Sequence, residues 1–361
     1  MSNRSRRKSK KQKTPPAASL DLAGRITANR SAVIAVMVGV HVLLCLAIFD
    51  PKLHSGGDNT AYILLAESIL RFGDGYSLGM NPGPPSPHTN YPFGFPLLLA
   101  PLVVLFGRSV ILLKLYSLAF SAGSVAIFSL LAWRLMPPRV WVALCAAVAV
   151  NPVLTEYAHW ILTESSFLFF SLLAIYLMVR EREEDGRRRT MFFSAGAVCS
   201  SLTVLIRTAG IALPLGIITA MVFGRRWRGA AVFALATAVL LGPWIIRNNT
   251  VEGDQAIPYE QQLLMKNPYR PHLGMMGPAD LVSRVKSNAN IYFLGQQARA
   301  VLRHEVLAGG GRGIVLLAGV LSVMILAGLA HGLVRRRGRG GKPGPDRVRP
   351  LDPHRVVFSV F

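Results

Sequence analysis

The chain has 361 residues, of which 52% are hydrophobic and only 16% charged, and its mean hydropathy is +0.40, a balance that excludes an ordinary soluble domain. The net charge of +22 would suggest nucleic acid if Lys and Arg were spread over a folded surface. They gather instead between Met1 and Arg30, around Arg134 and Arg139, from Arg180 to Arg189, from Arg225 to Arg228 and after Arg335. Each cluster lies where an apolar run ends, as cytoplasmic loops of membrane proteins do, so no nucleic-acid partner is expected.

The apolar run from Ala32 to Phe49 lacks a small-x-small cleavage site before Asp50 and Pro51. It reads as a retained first helix with residues 1–30 as a basic cytoplasmic tail, not as a cleaved signal peptide. A bilayer core of about 30 Å takes roughly twenty helical residues. By that ruler, spans are predicted at 31–49, 109–133, 139–152, 164–180, 190–206, 209–224, 229–246 and 313–334. With the N-terminus inside, residues 50–108, 151–163, 207–208 and 247–312 fall outside, and every strongly basic short loop falls inside.

The expected architecture is therefore an all-α polytopic transmembrane helical bundle of about eight spans in the cell membrane, N-terminus cytoplasmic. Residues 31–334 form the membrane domain. The Arg/Gly/Pro-rich tail 335–361 has no composition that predicts folding, and reads as a cytoplasmic tail or a truncated end. The apolar stretch from Pro96 to Gly107 would be only about 16 Å long as a helix, and Pro96 and Pro101 interrupt it, so it is assigned to the outer interface.

Two outer loops are large enough to be functional. In the first, Tyr62, Leu65, Ile69 and Phe72 follow Asp58 at helical spacing, with Glu67 and Arg71 expected to pair on the wet face. The second holds an amphipathic candidate over 281–302. Cys45, Cys145 and Cys199 lie inside apolar runs and are expected to behave as small hydrophobes, without a disulfide framework or zinc spacing.

Ionisable residues at the outer ends of spans are the candidates for chemistry. Asp58 follows Gly56 and Gly57 at the start of the first-loop helix, where it can serve as an N-cap, as a general base, or as both. Glu164 opens a span, which suits either macrodipole stabilisation or the lining of a cavity. His159 and Glu156 are solvated loop residues or part of the same cavity. Arg207, between two apolar runs at the outer face, calls for a negative partner, and a phosphate suits a guanidinium. Arg247 offers the same chemistry or snorkels beside Trp244. The chain contains no GxxxxGK[ST], HExxH or CxxC motif and no Asp-x-Asp pair in the first outer loop, which weighs against ATP-driven transport, metalloprotease chemistry and metal-dependent sugar transfer.

The order of these segments resembles the GT-C superfamily of polytopic glycosyltransferases, in the branch of the aminoarabinose transferases and protein mannosyltransferases. The resemblance lies in Gly57-Asp58-x-x-x-Tyr62, Tyr91-Pro92-Phe93-Gly94-Phe95-Pro96-Leu97-Leu98, Asn151-Pro152 leading to Leu162-Thr163-Glu164, Leu205-Ile206-Arg207-Thr208, and Pro243-Trp244-Ile245-Ile246-Arg247-Asn248. It implies an enzyme whose donor is a sugar on a polyprenyl phosphate, with Asp58 as base and Glu164 lining the cavity. Arg207 and Arg247 would meet the phosphate, and Tyr62, His159 and Tyr91 are assigned to substrate. No cofactor or metal is expected, and the acceptor would be a glycan, lipid or protein. Members of that family continue into further spans or a soluble domain, whereas this chain ends in a basic tail. Two rivals stand beside it: a transporter or flippase for a lipid-linked or anionic substrate, which would use the same outer arginines, and an inactive truncated paralogue that only packs against partners.

Overall fold

A computed structural model of the chain describes residues 29–55, 57–71, 75–79, 85–251, 259–267, 270–294 and 311–337. The basic N-terminal tail up to residue 28, Phe72, residues 295–302 and the tail from 338 lie outside the described residues. The helices are α1 (Arg30–Ala47), α2 (Asn59–Leu70), α3 (Gly94–Phe106), α4 (Val110–Leu135), α5 (Pro138–Ala149), α6 (Pro152–Tyr157) and α7 (Thr163–Glu181). They continue with α8 (Gly186–Ile206), a 3-10 turn (Thr208–Ile211), α9 (Ala212–Phe223), α10 (Trp227–Thr250), α11 (Tyr259–Leu264), a second 3-10 turn (Pro271–Leu273), α12 (Pro278–Leu294) and α13 (Arg312–Arg337). The protein is a helical polytopic membrane protein: α1, α4, α7, α8 and α10 are long and apolar enough to cross a membrane, and α3, α5, α9 and part of α13 are shorter apolar helices.

The bundle is layered in an order that the short connections impose. Helix α4 packs against α1 on one side and α7 on the other, α7 against α8, and α8 against α10, with α9 beside α10. Helices approach closely where side chains are small. A Cβ on Gly123 in α4 would lie 2.7 Å from the Phe169 ring of α7, so glycine permits that contact. Polar side chains also join helices. Buried His41 of α1 meets the Ala149 carbonyl of α5 through Nδ1 at 2.8 Å and the Ser121 hydroxyl of α4 through Nε2 at 2.8 Å. The carbonyl can only accept, so the ring proton sits on Nδ1.

The two ends of the bundle differ in charge. At one end the basic loops meet: Arg30 stacks on Trp133, Trp133 on Trp141, and Arg134 pairs with Glu183. Buried Glu181 takes Arg189 at 2.8 Å and Arg226 at 2.5 Å. At the other end α2 and α3 are folded onto the bundle. Their apolar platform comprises Tyr62, Ile63, Ala66, Phe95, Leu99 and Val103, closed by Leu113, Ile161, Leu162 and Ile206.

Two local expectations are corrected and one is extended. Helix α2 buries Ile63 and Ala66 as well as Tyr62 and Leu65, so it is embedded over much of its circumference. Glu67 has a tertiary partner besides Arg71: its two oxygens take the Nε and Nη2 of Arg108 in bidentate geometry, while the Arg71 charge also acts on it. Arg247 lies within α10, in its last turn, and not beyond the helix end.

Candidate functional site

Asp58 occupies the N-cap position of α2 with φ −97° and ψ 19°, yet its side chain makes no capping hydrogen bond. The carboxylate is half-buried and is not spent on its own helix. The turn before it is made by Gly57 at φ +72°, a conformation that glycine adopts at no steric cost.

One helical turn on, the Tyr62 phenol is the meeting point. Burial raises its pKa well above the ordinary value, and the charges of Asp58 and Glu164 raise it further. The Arg207 guanidinium and a hydrogen bond with Thr163 pull it back. Residues from α2, the start of α7 and the end of α8 therefore act on one phenol. Arg207 Nη1 lies 2.7 Å from Glu164 Oε1, with the two side chains 47% and 29% exposed. The negative partner that Arg207 calls for is thus supplied within the chain. Gly94 makes this approach possible: a Cβ there would sit 2.6 Å from the Leu205 carbonyl, so only glycine lets the start of α3 abut the backbone that leads into Arg207.

From Tyr62 a row of rings runs along the first loop. Tyr91 is 5.3 Å from Tyr62, His88 4.9 Å from Tyr91, Tyr76 6.2 Å from His88 and Trp244 5.7 Å from Tyr76. Arg247 closes the row. Its Nη2 donates to the Gly75 carbonyl at 2.6 Å, its Nη1 to the His88 carbonyl at 3.0 Å, and its guanidinium lies over the rings of Tyr76 and Trp244. These contacts make Arg247 a strap on the backbone at Gly75 and His88, where a phosphate contact is expected from sequence. Tyr76 holds φ +61° there, with its hydroxyl donating to the Tyr91 carbonyl at 3.0 Å.

His159 answers to other neighbours. Its ring is edge-on to Phe49, burial lowers its pKa, Lys114 and His41 lower it further, and Asp50 opposes them. Neither ring nitrogen has a hydrogen-bond partner among the described residues. Lys114, almost wholly buried, donates to the Asp50 carbonyl at 2.7 Å and to the Lys52 carbonyl, so it pins the start of the loop that leads to Asp58. Among the described residues no group of three His, Cys, Asp or Glu side chains is arranged to hold a metal ion. Sequence reasoning missed Lys114 and Asn59. The only sign of Lys114 is a cation set among apolar residues near the start of a span.

Beside Arg207 the chain breaks from α8 into a 3-10 turn before α9. The break opens an apolar cavity of about 290 Å³, lined by Phe167 and Ile175 of α7 and by Ala209, Leu213, Gly216 and Ile217. Ala209 is two residues past Arg207, and Phe167 one helical turn past Glu164.

No family model and no curated protein matches the sequence. Among solved structures, ArnT from Cupriavidus metallidurans bound to undecaprenyl phosphate aligns with a TM-score of 0.51 at 17% identity, over 84% of this chain and 60% of ArnT. The same protein in the apo state gives a TM-score of 0.48 at 17% identity, over 85% of this chain and 60% of ArnT. The chain spans 60% of the length of the ArnT structures it resembles. Its helical membrane fold is similar to that of ArnT.

Proposed function

We propose that the chain is a glycosyltransferase that moves a hexosyl or pentosyl unit from a polyprenyl-phosphate donor to an acceptor at the non-cytoplasmic face of the cell membrane, with its N-terminus in the cytoplasm. The observation that carries this reading is the Arg207–Glu164 pair at 2.7 Å, which joins two distant segments beside the Tyr62 phenol, a group that the Asp58 charge also acts on. In the proposed reaction Asp58 takes the proton from an acceptor hydroxyl or amine, and the acceptor attacks the anomeric carbon with inversion. The bond from that carbon to the phosphate oxygen breaks, and the polyprenyl phosphate leaves with its charge met by Arg207. Glu164 keeps the guanidinium in place until the phosphate arrives. This reading calls for no metal.

Two further observations support it. The apolar cavity begins two residues past Arg207, which suits a ligand with an anionic head and a long hydrocarbon chain. ArnT, which shares the fold, was crystallised with undecaprenyl phosphate, and that lipid class is carried over as an analogy of fold. The test is Asp58→Asn in native membranes. Sugar transfer is expected to vanish while protein abundance stays unchanged, and transfer at the wild-type rate would overturn the base assignment.

A further inference from the structure

We infer that Asn59 is a positioning residue, which holds Asp58 in register with the Thr163–Glu164 helix start by accepting a hydrogen bond from the Ile161 amide. The inference rests on the proposed reading of Asp58 as the base.

Asn59 is 1% exposed and Ile161 is fully buried. Asn59 Oδ1 lies 2.8 Å from the Ile161 nitrogen, across 102 residues of sequence. Its place in the chain matters more than its burial. Asn59 is the first helical residue of α2, bonded directly to Asp58, while Ile161 precedes Thr163 by two residues and Glu164 by three. Any slip between these two segments moves one carboxylate relative to the other.

The contacts nearby are less selective. A Cβ on Gly57 would meet Leu162 at 3.6 Å, so the backbone before Asp58 already rests on that side chain. Tyr62, Ile63 and Ala66 pack α2 onto the platform. Apolar packing of this kind tolerates small shifts, whereas a hydrogen bond fixes distance and direction together. At its other end the loop is fixed by Lys114, which donates to the Asp50 and Lys52 carbonyls. The segment from 50 to 59 is therefore pinned at both ends, and Asn59 is the pin beside the carboxylate. A side chain that only filled space there would be better apolar, because a buried amide gains nothing from burial itself.

The experiment uses the purified full chain, with turnover of lipid-linked sugar, a thermal midpoint and amide hydrogen exchange at Ile161. Asn59→Leu keeps the bulk and removes the acceptor. It is expected to lower kcat by roughly tenfold to a hundredfold, with KM for the lipid-linked sugar unchanged within about twofold. Asn59→Asp restores the acceptor oxygen and most of kcat, with the acid limb of the pH profile moved upward because a second carboxylate sits beside Asp58. Wild-type kcat in Asn59→Leu, or equal loss in the Leu and Asp variants, overturns the inference. If wild-type protein turns over no lipid-linked sugar, the proposed function fails on its own. The register claim is then decided by exchange at Ile161, which must be faster in Asn59→Leu than in Asn59→Asp. If the Leu variant does not fold, Asn59→Ala takes its place in both measurements.

Discussion

Arg207 Nη1 and Glu164 Oε1 are 2.7 Å apart, and this pair ties the end of α8 to the beginning of α7. Both side chains keep substantial contact with solvent, so the pair adds little to stability, about 0–1 kcal/mol. Its value is directional. Glu164→Gln is expected to leave the thermal midpoint nearly unchanged and to bind undecaprenyl phosphate at least as tightly as wild type, since a competing carboxylate is gone. Arg207→Ala loses that binding. Arg207→Lys recovers it only in part, because an ammonium lacks the planar fork. Isothermal titration of the three variants decides the matter, and equal affinity in wild type and Arg207→Ala would remove Arg207 from the site.

Close approach at Gly94 gives a prediction about packing. A Cβ there meets the carbonyl carbon and oxygen of Leu205 at 2.6 Å, and neither backbone atom can swing aside. Gly94→Ala is expected to cost about 1–3 kcal/mol and to displace the segment that carries Arg207. Gly216→Ala is the control: a Cβ there has nothing within 4 Å, and alanine favours the helix. Thermal denaturation in detergent separates the two, and equal midpoints would mean that the α3–α8 contact yields freely.

Much of the fold is legible in the sequence because the bilayer dictates element length. The runs predicted at 109–133 and 164–180 are helices Val110–Leu135 and Thr163–Glu181, and the run at 209–224 is a 3-10 turn followed by Ala212–Phe223. Asp58, Glu164 and Arg207 share one signal, charged groups where apolar runs end, and of these Glu164 and Arg207 pair directly. Arg247 and His159 carry the same signal, yet one donates to the Gly75 and His88 carbonyls and the other is buried, with the Lys114 charge acting on it. Sequence spacing cannot distinguish a guanidinium that meets carbonyls from one that faces a ligand, because the carbonyls come from a loop over 150 residues away. The Arg108 contact of Glu67, which adds to the effect of Arg71, escapes sequence reading for a related reason. The i,i+4 rule is local, and Arg108 offered a better geometry from outside the helix. Asn59 looked like any residue opening a helix, and only the tertiary contact with Ile161 gives it meaning.

His159 supplies a pH prediction. Burial, with Lys114 and His41 beside it, holds its pKa below the ordinary value of 6.5. Below pH 6.5 the unfolded chain takes up a proton that the folded chain refuses. The neutral ring's share of stability is therefore complete above 6.5 and declines as the pH falls toward the lowered folded-state value. Both ring nitrogens are also buried without partners among the described residues, which is itself a cost. His159→Phe keeps an aromatic ring against Phe49 and removes both penalties. Its thermal midpoint is expected to exceed that of wild type at pH 7.5, by a margin that widens at pH 5.5. A midpoint lowered equally at both values would show that the imidazole is satisfied in the folded protein.

The apolar cavity can be filled without disturbing the bundle, because Gly216 lines it and faces open space. Gly216→Phe places a ring in a volume of about 290 Å³ while leaving the Arg207–Glu164 pair untouched. If the hydrocarbon chain of the donor lies there, affinity for undecaprenyl phosphate should fall by about tenfold or more, equivalent to about 1.4 kcal/mol. A prenyl phosphate of one or two isoprene units barely enters the cavity, so its weaker binding at Arg207 should not change. Loss of both ligands would point to a displaced Arg207, and loss of neither would mean that the lipid chain follows another path along the bundle.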